Sequence, residues 1–245
     1  MKSNEQLSVD FYEKEATTYD DRRWNTPAGK YNDTIQKEIV LDLIGNCNNI
    51  RVLDIATGTG RFALEIAKSG AHIIALDSSS NMLDATKLKF QSNGLIEQLD
   101  AKQGLATEIP VDDNSVDVCV CINALNHIER YLDVLKEIYR VLKPGGLSIT
   151  SYTNWMSPYM PFGLWVNLRK TSVTRDVYTK WFNPLEVFSL HKLSSMKIEL
   201  IRGELHFPTS ANNSLLLALL KATDRILRHP PLGYLASQLF VKARK

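Results

Sequence analysis

The sequence predicts a doubly wound α/β fold built on a mostly parallel sheet, and three observations carry that prediction. Short apolar runs rich in Val, Ile and Leu alternate with segments of helical period between residues 51 and 152. Several of these runs are apolar almost throughout, as in "VDVCVC", which suits strands covered on both faces. Glycine, proline or serine punctuates most junctions, so each strand leads into a helix that returns to the same sheet by a right-handed crossover.

Residues 1 to 30 are polar with aromatic insertions, and Tyr31 to Ile44 then places Ile35, Ile39, Val40 and Leu43 at helical spacing. "RVLDI" from Arg51 is the first strand, and the helix that begins at Arg61 closes at Gly70. "HIIALD" from His72 is the second strand, followed by a helix with serine caps in front and Gly94 behind. "IEQLDAKQG" is a weak third strand, "VDVCVCIN" a strong fourth, "YLDVLKEIYRVLK" a helix and "GGLSITSY" a fifth strand. Beyond Tyr152 the period is lost in "TNWMSPYMPFGLW", which predicts a loop or lid. An Asn-capped helix with Pro at its first position, a strand "MKIELIRG", a helix over Asn213 to Leu227 and a last strand in "LASQLFVKARK" complete the chain. This divides a single domain of residues 1–245 into an N-terminal helical cap (1–45), a ligand-binding core (46–152) and a lid with C-terminal strands and helices (153–245).

Composition narrows the partners. The chain has 245 residues, 44% of them hydrophobic, enough for a substantial core. A net charge of +2 supplies no field to gather nucleic acid or an anionic surface, so a small molecule is the expected partner. Cys47, Cys119 and Cys121 are sparse, odd in number and not metal-spaced, which favours buried thiols and no metal. The absence of an apolar leader or a spanning-length apolar run leads to an expectation of a cytoplasmic protein with no stable membrane insertion.

The chemistry gathers at "RVLDIATGTGRFALEIA". A glycine-rich turn between strand and helix leaves backbone N–H groups free and lets a polar ligand approach closely. A phosphate loop would need Gly-Lys-Ser/Thr at its end, and no such lysine is present. Gly58-Thr59-Gly60-Arg61-Phe62-Ala63 formally satisfies a dinucleotide fingerprint, with Asp77 at a suitable distance. Tyr139 and Lys143 add a Tyr-x-x-x-Lys spacing, but they stand before Pro144-Gly145-Gly146 at a helix end and are read as structural.

Asp54 closing the first strand, with Ile55-Ala56-Thr57 before Gly58, sets this turn apart from a dinucleotide site. Val52-Leu53-Asp54-Ile55-Ala56-Thr57-Gly58-Thr59-Gly60 resembles the first motif of the class I S-adenosylmethionine-dependent methyltransferases. "IIALDSSSNML" is similar to their second motif, and "IPVDDNSVDVCVCINALNHIERYLDVLKEIYRVLKPGG" to their fourth strand and following helix. Within the class the chain looks closest to the small-molecule, type 11 branch that includes ubiquinone and menaquinone biosynthesis enzymes. The resemblance implies a Rossmann-like, seven-stranded sheet with an antiparallel last strand. It also implies S-adenosyl-L-methionine as cofactor and S-adenosyl-L-homocysteine as product. In that pattern Asp77 accepts the ribose hydroxyls, and Asp54, Ala56, Thr57, Gly58 and Gly60 form the turn beside the methionine and ribose portions. Ser78 and Met82 flank the adenine, Leu105 and Ala106 stand where a Gly-Asp-Ala stretch is frequent, and Asn123 meets the methionine portion. Outside that pattern, Tyr19 in the N-terminal segment is expected to close over the site with Tyr12 and Trp24.

Methyl transfer needs the nucleophile held in line more than it needs catalytic groups, because a sulfonium is already a good leaving group. His127, in "NALNHIE" after the fourth strand, is the candidate base, with loop packing as its structural alternative. His72, His191, His206 and His229 are read as structural. Tyr12, Trp24, Tyr152, Trp155 and Tyr159 are the candidate acceptor contacts, with packing of the lid as the alternative. The expected reaction moves a methyl group to an oxygen or carbon of a small, apolar or aromatic acceptor. An NAD(P)-dependent reductase and a catalytically silent S-adenosylmethionine-binding scaffold remain as alternatives.

Overall fold

The structure is a computed structural model that describes residues 4–158, 160–161, 178–205 and 214–245. Its centre is one seven-stranded sheet of order β3-β2-β1-β4-β5-β7-β6. In chain order these are β1 (Arg51–Ile55), β2 (His72–Asp77), β3 (Leu99–Gln103), β4 (Val116–Cys121), β5 (Leu142–Thr153), β6 (Lys197–Glu204) and β7 (Gln238–Arg244). The first five run parallel, while β7 lies antiparallel to both β5 and β6.

Alternation along the strands sorts the core into two layers, since successive side chains face opposite sides of the sheet. Val52, Ile73, Ala75, Val118 and Val120 face α3 (Pro27–Ile44), α4 (Arg61–Lys68) and α5 (Ser80–Ser92). Leu53, Ile55, Ile74, Leu76, Cys119 and Cys121 face α6 (Tyr131–Val141) and α7 (Pro184–Leu193). The helices comply because their apolar stripes match: Phe62, Ala63, Ile66 and Ala67 of α4 and Val134, Leu135, Ile138 and Val141 of α6 are buried. All three cysteines are free and buried.

Four boundaries differ from the sequence expectation. The polar N-terminus forms two helices, α1 (Asn4–Glu15) and α2 (Tyr19–Trp24), which no apolar stripe announces. Helix α3 starts at Pro27 because the Thr26 hydroxyl accepts from the Gly29 N–H, with proline at the first helical position. Ile96–Gln98 is a short 3-10 turn, so β3 begins only at Leu99. β5 begins at Leu142, because Val116 of β4 pairs with it before the register shifts. Helix α8 (Ser214–Leu227) lies between the last two strands in sequence. Among the described residues no helix is long and apolar enough to cross a membrane.

Strand order reverses between β1 and β4, with β2 and β3 on one side and β5 on the other. At such a reversal the helices diverge to opposite faces and leave a crevice beyond the strand C-termini. The ends of β1, β2 and β4 place Asp54, Asp77 and the Ile122–Asn123 pair around that crevice.

Candidate functional site

The turn after β1 is built by three residues in the left-handed region: Ala56 at φ 53°, Gly58 at φ 57° and Gly60 at φ 71°. The two glycines are needed for different reasons. A Cβ on Gly58 would meet nothing within 4 Å, so its bare backbone fronts open space. A Cβ on Gly60 would lie 2.7 Å from the Thr86 methyl carbon, so its smallness serves the approach of α5. Ala56 carries a side chain in a region that disfavours one by roughly 1–2 kcal/mol, so the floor of the crevice holds backbone strain. Hydrogen bonds from Thr57 N to the Leu76 carbonyl, and from the Thr86 hydroxyl to the Gly58 carbonyl, hold the turn in place.

Two carboxylates organise the crevice. Asp77 accepts from Gly58 N at 2.8 Å with Oδ2 and from Ser79 N at 2.9 Å with Oδ1. Burial raises its pKa, opposed by backbone donors at Ser79, Gly58 and Ser78. Asp54 is 2% exposed and accepts from the Thr57 hydroxyl at 2.7 Å. Burial pushes its carboxyl up to about 7, against the pull of the Thr57 and Ala63 donors.

Above the turn is a cavity of about 340 Å³. Asp54, Ala56, Thr57, Gly58, Asp77, Ser78 and Met82 line its core side, as do Leu105, Ala106 and Asn123. Gly60 stands behind the wall, against Thr86. The opposite wall comes from α1 and α2, where Tyr12, Tyr19 and Trp24 line the cavity. The Tyr12 ring packs edge-on against Tyr19 at 6.3 Å and against His127 at 6.1 Å. Burial raises the Tyr12 phenol, so it stays neutral.

Polar side chains latch this helical wall to the core. Glu13 accepts from the Ser79 and Ser80 hydroxyls, at the start of α5. Asp20 accepts from the Thr59 hydroxyl and pairs with Lys89, both at 2.7 Å. Glu13 is held below the usual carboxylate range by its serine donors.

His127 lies on the cavity wall in the short 3-10 turn Leu125–His127. Its Nδ1–H donates to the Tyr178 carbonyl and its Nε2 accepts from the Asn126 amide, both at 3.0 Å. These bonds pin the loop after β4 to the chain at residue 178.

Two expected acceptor contacts are corrected. Tyr152 is 1% exposed inside β5, where its ring packs against Phe182 and His191 on the α7 side of the sheet. Trp155, 47% exposed, follows the end of β5 and lines the outer surface, not the cavity. Tyr152 pairs with Leu239 of β7, and its register turns the ring to the face covered by α7. Tyr159, Phe162, Trp165 and His206 fall outside the described residues.

Sequence reasoning missed Val9, Arg61, Phe62 and Ile122, all on the wall. Arg61 had a signal, since it is the first residue after the glycine turn. Val9 had none, because its place depends on where α1 docks.

Residues 53–150 match the model of a family described as a methyltransferase domain. A demethylmenaquinone methyltransferase of Clavibacter sepedonicus is 32% identical over 135 residues, 55% of this chain and 53% of that protein. A ubiquinone/menaquinone biosynthesis C-methyltransferase of Bartonella tribocorum is 33% identical over 121 residues, 47% of this chain and 46% of its own length. The chain thus spans about half the length of the curated relatives it matches. A solved structure from Thermotoga maritima, described as a SAM-dependent methyltransferase and possible histamine N-methyltransferase, superposes with a TM-score of 0.71 at 17% identity. That superposition covers 96% of this chain and 99% of the other, and it establishes a shared fold.

Proposed function

We propose that the chain, whose residues 53–150 match a methyltransferase-domain family, binds S-adenosyl-L-methionine in the cavity and methylates a small, apolar or aromatic acceptor. When bound, that cofactor supplies an electrophilic methyl carbon on a cationic sulfur. The observation that carries the proposal is the Asp77 carboxylate, set at a strand tip beside the bare backbone of Gly58 and facing the cavity.

The chain's own residues would do five things. Asp77 accepts from the ribose hydroxyls, each such bond to a charged acceptor contributing roughly 1.5–3 kcal/mol. Met82, Leu105 and Ala106 offer the adenine an apolar wall. Asp54, close to ionising at neutral pH, faces the ammonium of the amino acid end. Tyr12, Tyr19 and Trp24 exclude water above the sulfonium and present ring faces to its charge. His127 orients the loop after β4.

The relatives' names favour carbon on a quinone-like ring as the methylated atom, with a phenolic oxygen as the other acceptor of this class. The test combines calorimetry with S-adenosyl-L-homocysteine and a coupled assay for its release across phenols, quinones, carboxylates and amines. Binding with release driven by a quinone or phenol is expected. Saturable NADH binding without homocysteine-nucleoside binding would reverse the assignment, and tight binding without release by any acceptor would favour a silent scaffold.

A further inference from the structure

We infer that the outer face of α7, with the turn Leu232–Leu235 and the Trp155–Met156 pair beside it, docks on an anionic lipid bilayer. The inference goes beyond the cofactor assignment and stands without it.

Helix α7 is apolar on both sides. Pro184, Val187, Leu190 and His191 are buried toward the sheet. Leu185, Phe188 and Leu193 recur at helical spacing on the other side, and they are 76%, 42% and 65% exposed. A helix that covers a sheet ordinarily turns a polar face to water, so an outer face of this composition marks a surface that something else covers. Neighbouring segments extend the face. The Phe188 ring lies 6.4 Å from that of Tyr234, in the turn Leu232–Leu235, whose two leucines are exposed. Asn154 donates to the Tyr234 and Ala236 carbonyls, both at 2.8 Å, and Trp155 N donates at 2.9 Å to the Phe182 carbonyl just before α7. The exposed Trp155 and Met156 are thereby held beside both the turn and the helix.

Charge decides between occupants. Within residues 153–158, 178–193 and 214–236 the acids are Glu186 and Asp224. Glu186 is tied to Lys180 at 2.7 Å, and Asp224 is buried and tied to Arg228 at 2.6 Å. Lys192, one turn beyond Phe188, and Lys221 and Arg225 of α8 are exposed, with no free acid in these segments to meet them. Helix α8 leads directly into the apolar turn, where Gly233 N donates to the His229 carbonyl at 2.8 Å. A second copy in a two-fold contact would set cations against cations. An anionic bilayer answers both halves of the surface. Its acyl boundary takes the leucines and Phe188, its headgroups meet the cations, and its interfacial depth is the one that Trp and Tyr side chains favour. The net charge of +2 averages over the whole chain and hides this local excess. Trp155 and Met156 follow the C-terminal end of β5, which is parallel to β4, so the face reaches the sheet edge that carries the crevice.

The test is flotation of the full chain with phosphatidylcholine vesicles, with and without phosphatidylglycerol. Binding to the anionic vesicles is expected, about tenfold or more above binding to the neutral ones, and it should weaken as salt is raised. Leu185→Ser with Phe188→Ser should weaken it about tenfold through lost apolar contact. Lys192→Gln with Arg225→Gln should do so about tenfold through lost charge. All four side chains are exposed, so calorimetry with S-adenosyl-L-homocysteine should give each double variant an affinity within about twofold of the unaltered protein. Three results would overturn the inference: no flotation with anionic vesicles, equal flotation with neutral ones, or flotation that either double variant leaves intact. A dimer in sedimentation velocity that Leu185→Ser with Phe188→Ser dissolves would overturn it too, by assigning the face to a second copy. A protein that floats as expected but binds no homocysteine nucleoside would keep the docking surface and remove the cofactor assignment.

Discussion

The two walls of the cavity are built by different physics. The core wall consists of strand tips and the turn after β1, whose positions are set by backbone pairing and by side chains buried on both faces of the sheet. The cap wall consists of two short helices held down by Glu13 on two serines, Asp20 on Thr59 and Lys89, and a few ring contacts. Buried backbone pairing resists local opening, whereas partly exposed polar contacts are each worth about 0–1 kcal/mol. The core wall is thus suited to recognition and the cap wall to admission and closure.

The strongest way to break this contrast is Asp77→Ala. It removes the proposed ribose acceptor and strands the N–H groups of Gly58 and Ser79, so calorimetry should show a loss of S-adenosyl-L-homocysteine affinity on the order of 100-fold. Thermal unfolding should show a simultaneous loss of about 2 kcal/mol or more. Retained affinity would mean that the core wall does not do the recognising.

Asp54 sharpens the contrast through pH. With its carboxyl near 7, an arriving ammonium favours the charged form, so affinity for S-adenosyl-L-homocysteine should rise about tenfold from pH 6 to pH 8, with proton release. Asp54→Asn should flatten that dependence. For stability of the unliganded protein the sign is opposite. A carboxyl raised on folding contributes fully below its unfolded pKa of 3.8 and loses that contribution as pH climbs through about 7. Melting curves of the Asp54→Asn variant should therefore gain on the unaltered protein as pH rises.

Unlatching the cap is expected to do less. Glu13→Ala with Asp20→Ala should weaken S-adenosyl-L-homocysteine about three- to tenfold and speed tryptic cleavage at Arg22 and Arg23, with unfolding shifted by only about 1 kcal/mol. An effect as large as that of Asp77→Ala would erase the distinction between the walls. At the bottom of the scale is Tyr152→Phe, which should leave ligand affinity unchanged within about twofold, because the ring lies in the core on the α7 side.

The floor of the site was legible because its parts are neighbours in sequence. Asp54 through Gly60 is one turn, and Asp77 ends a strand whose parallel pairing with β1 places the two tips side by side. Ala56 shows a limit even there: its left-handed backbone is visible only in three dimensions. Arg61 was overlooked because its neighbours Trp24, Asp33 and Gln36 come from a different stretch of chain.

The sequence alone determined the alternation of strands and helices, the parallel order it implies and the glycine turn with its two acids. Those follow from side-chain period and backbone freedom, which act over a few residues. Tertiary structure decided which aromatic rings meet the cavity. Tyr12 and Trp24 line it, while Tyr152, equally aromatic and near the end of a central strand, is buried elsewhere. The difference is one of docking: a strand residue faces whichever layer its register dictates, and a residue of a short polar helix sits wherever a few distant hydrogen bonds anchor that helix.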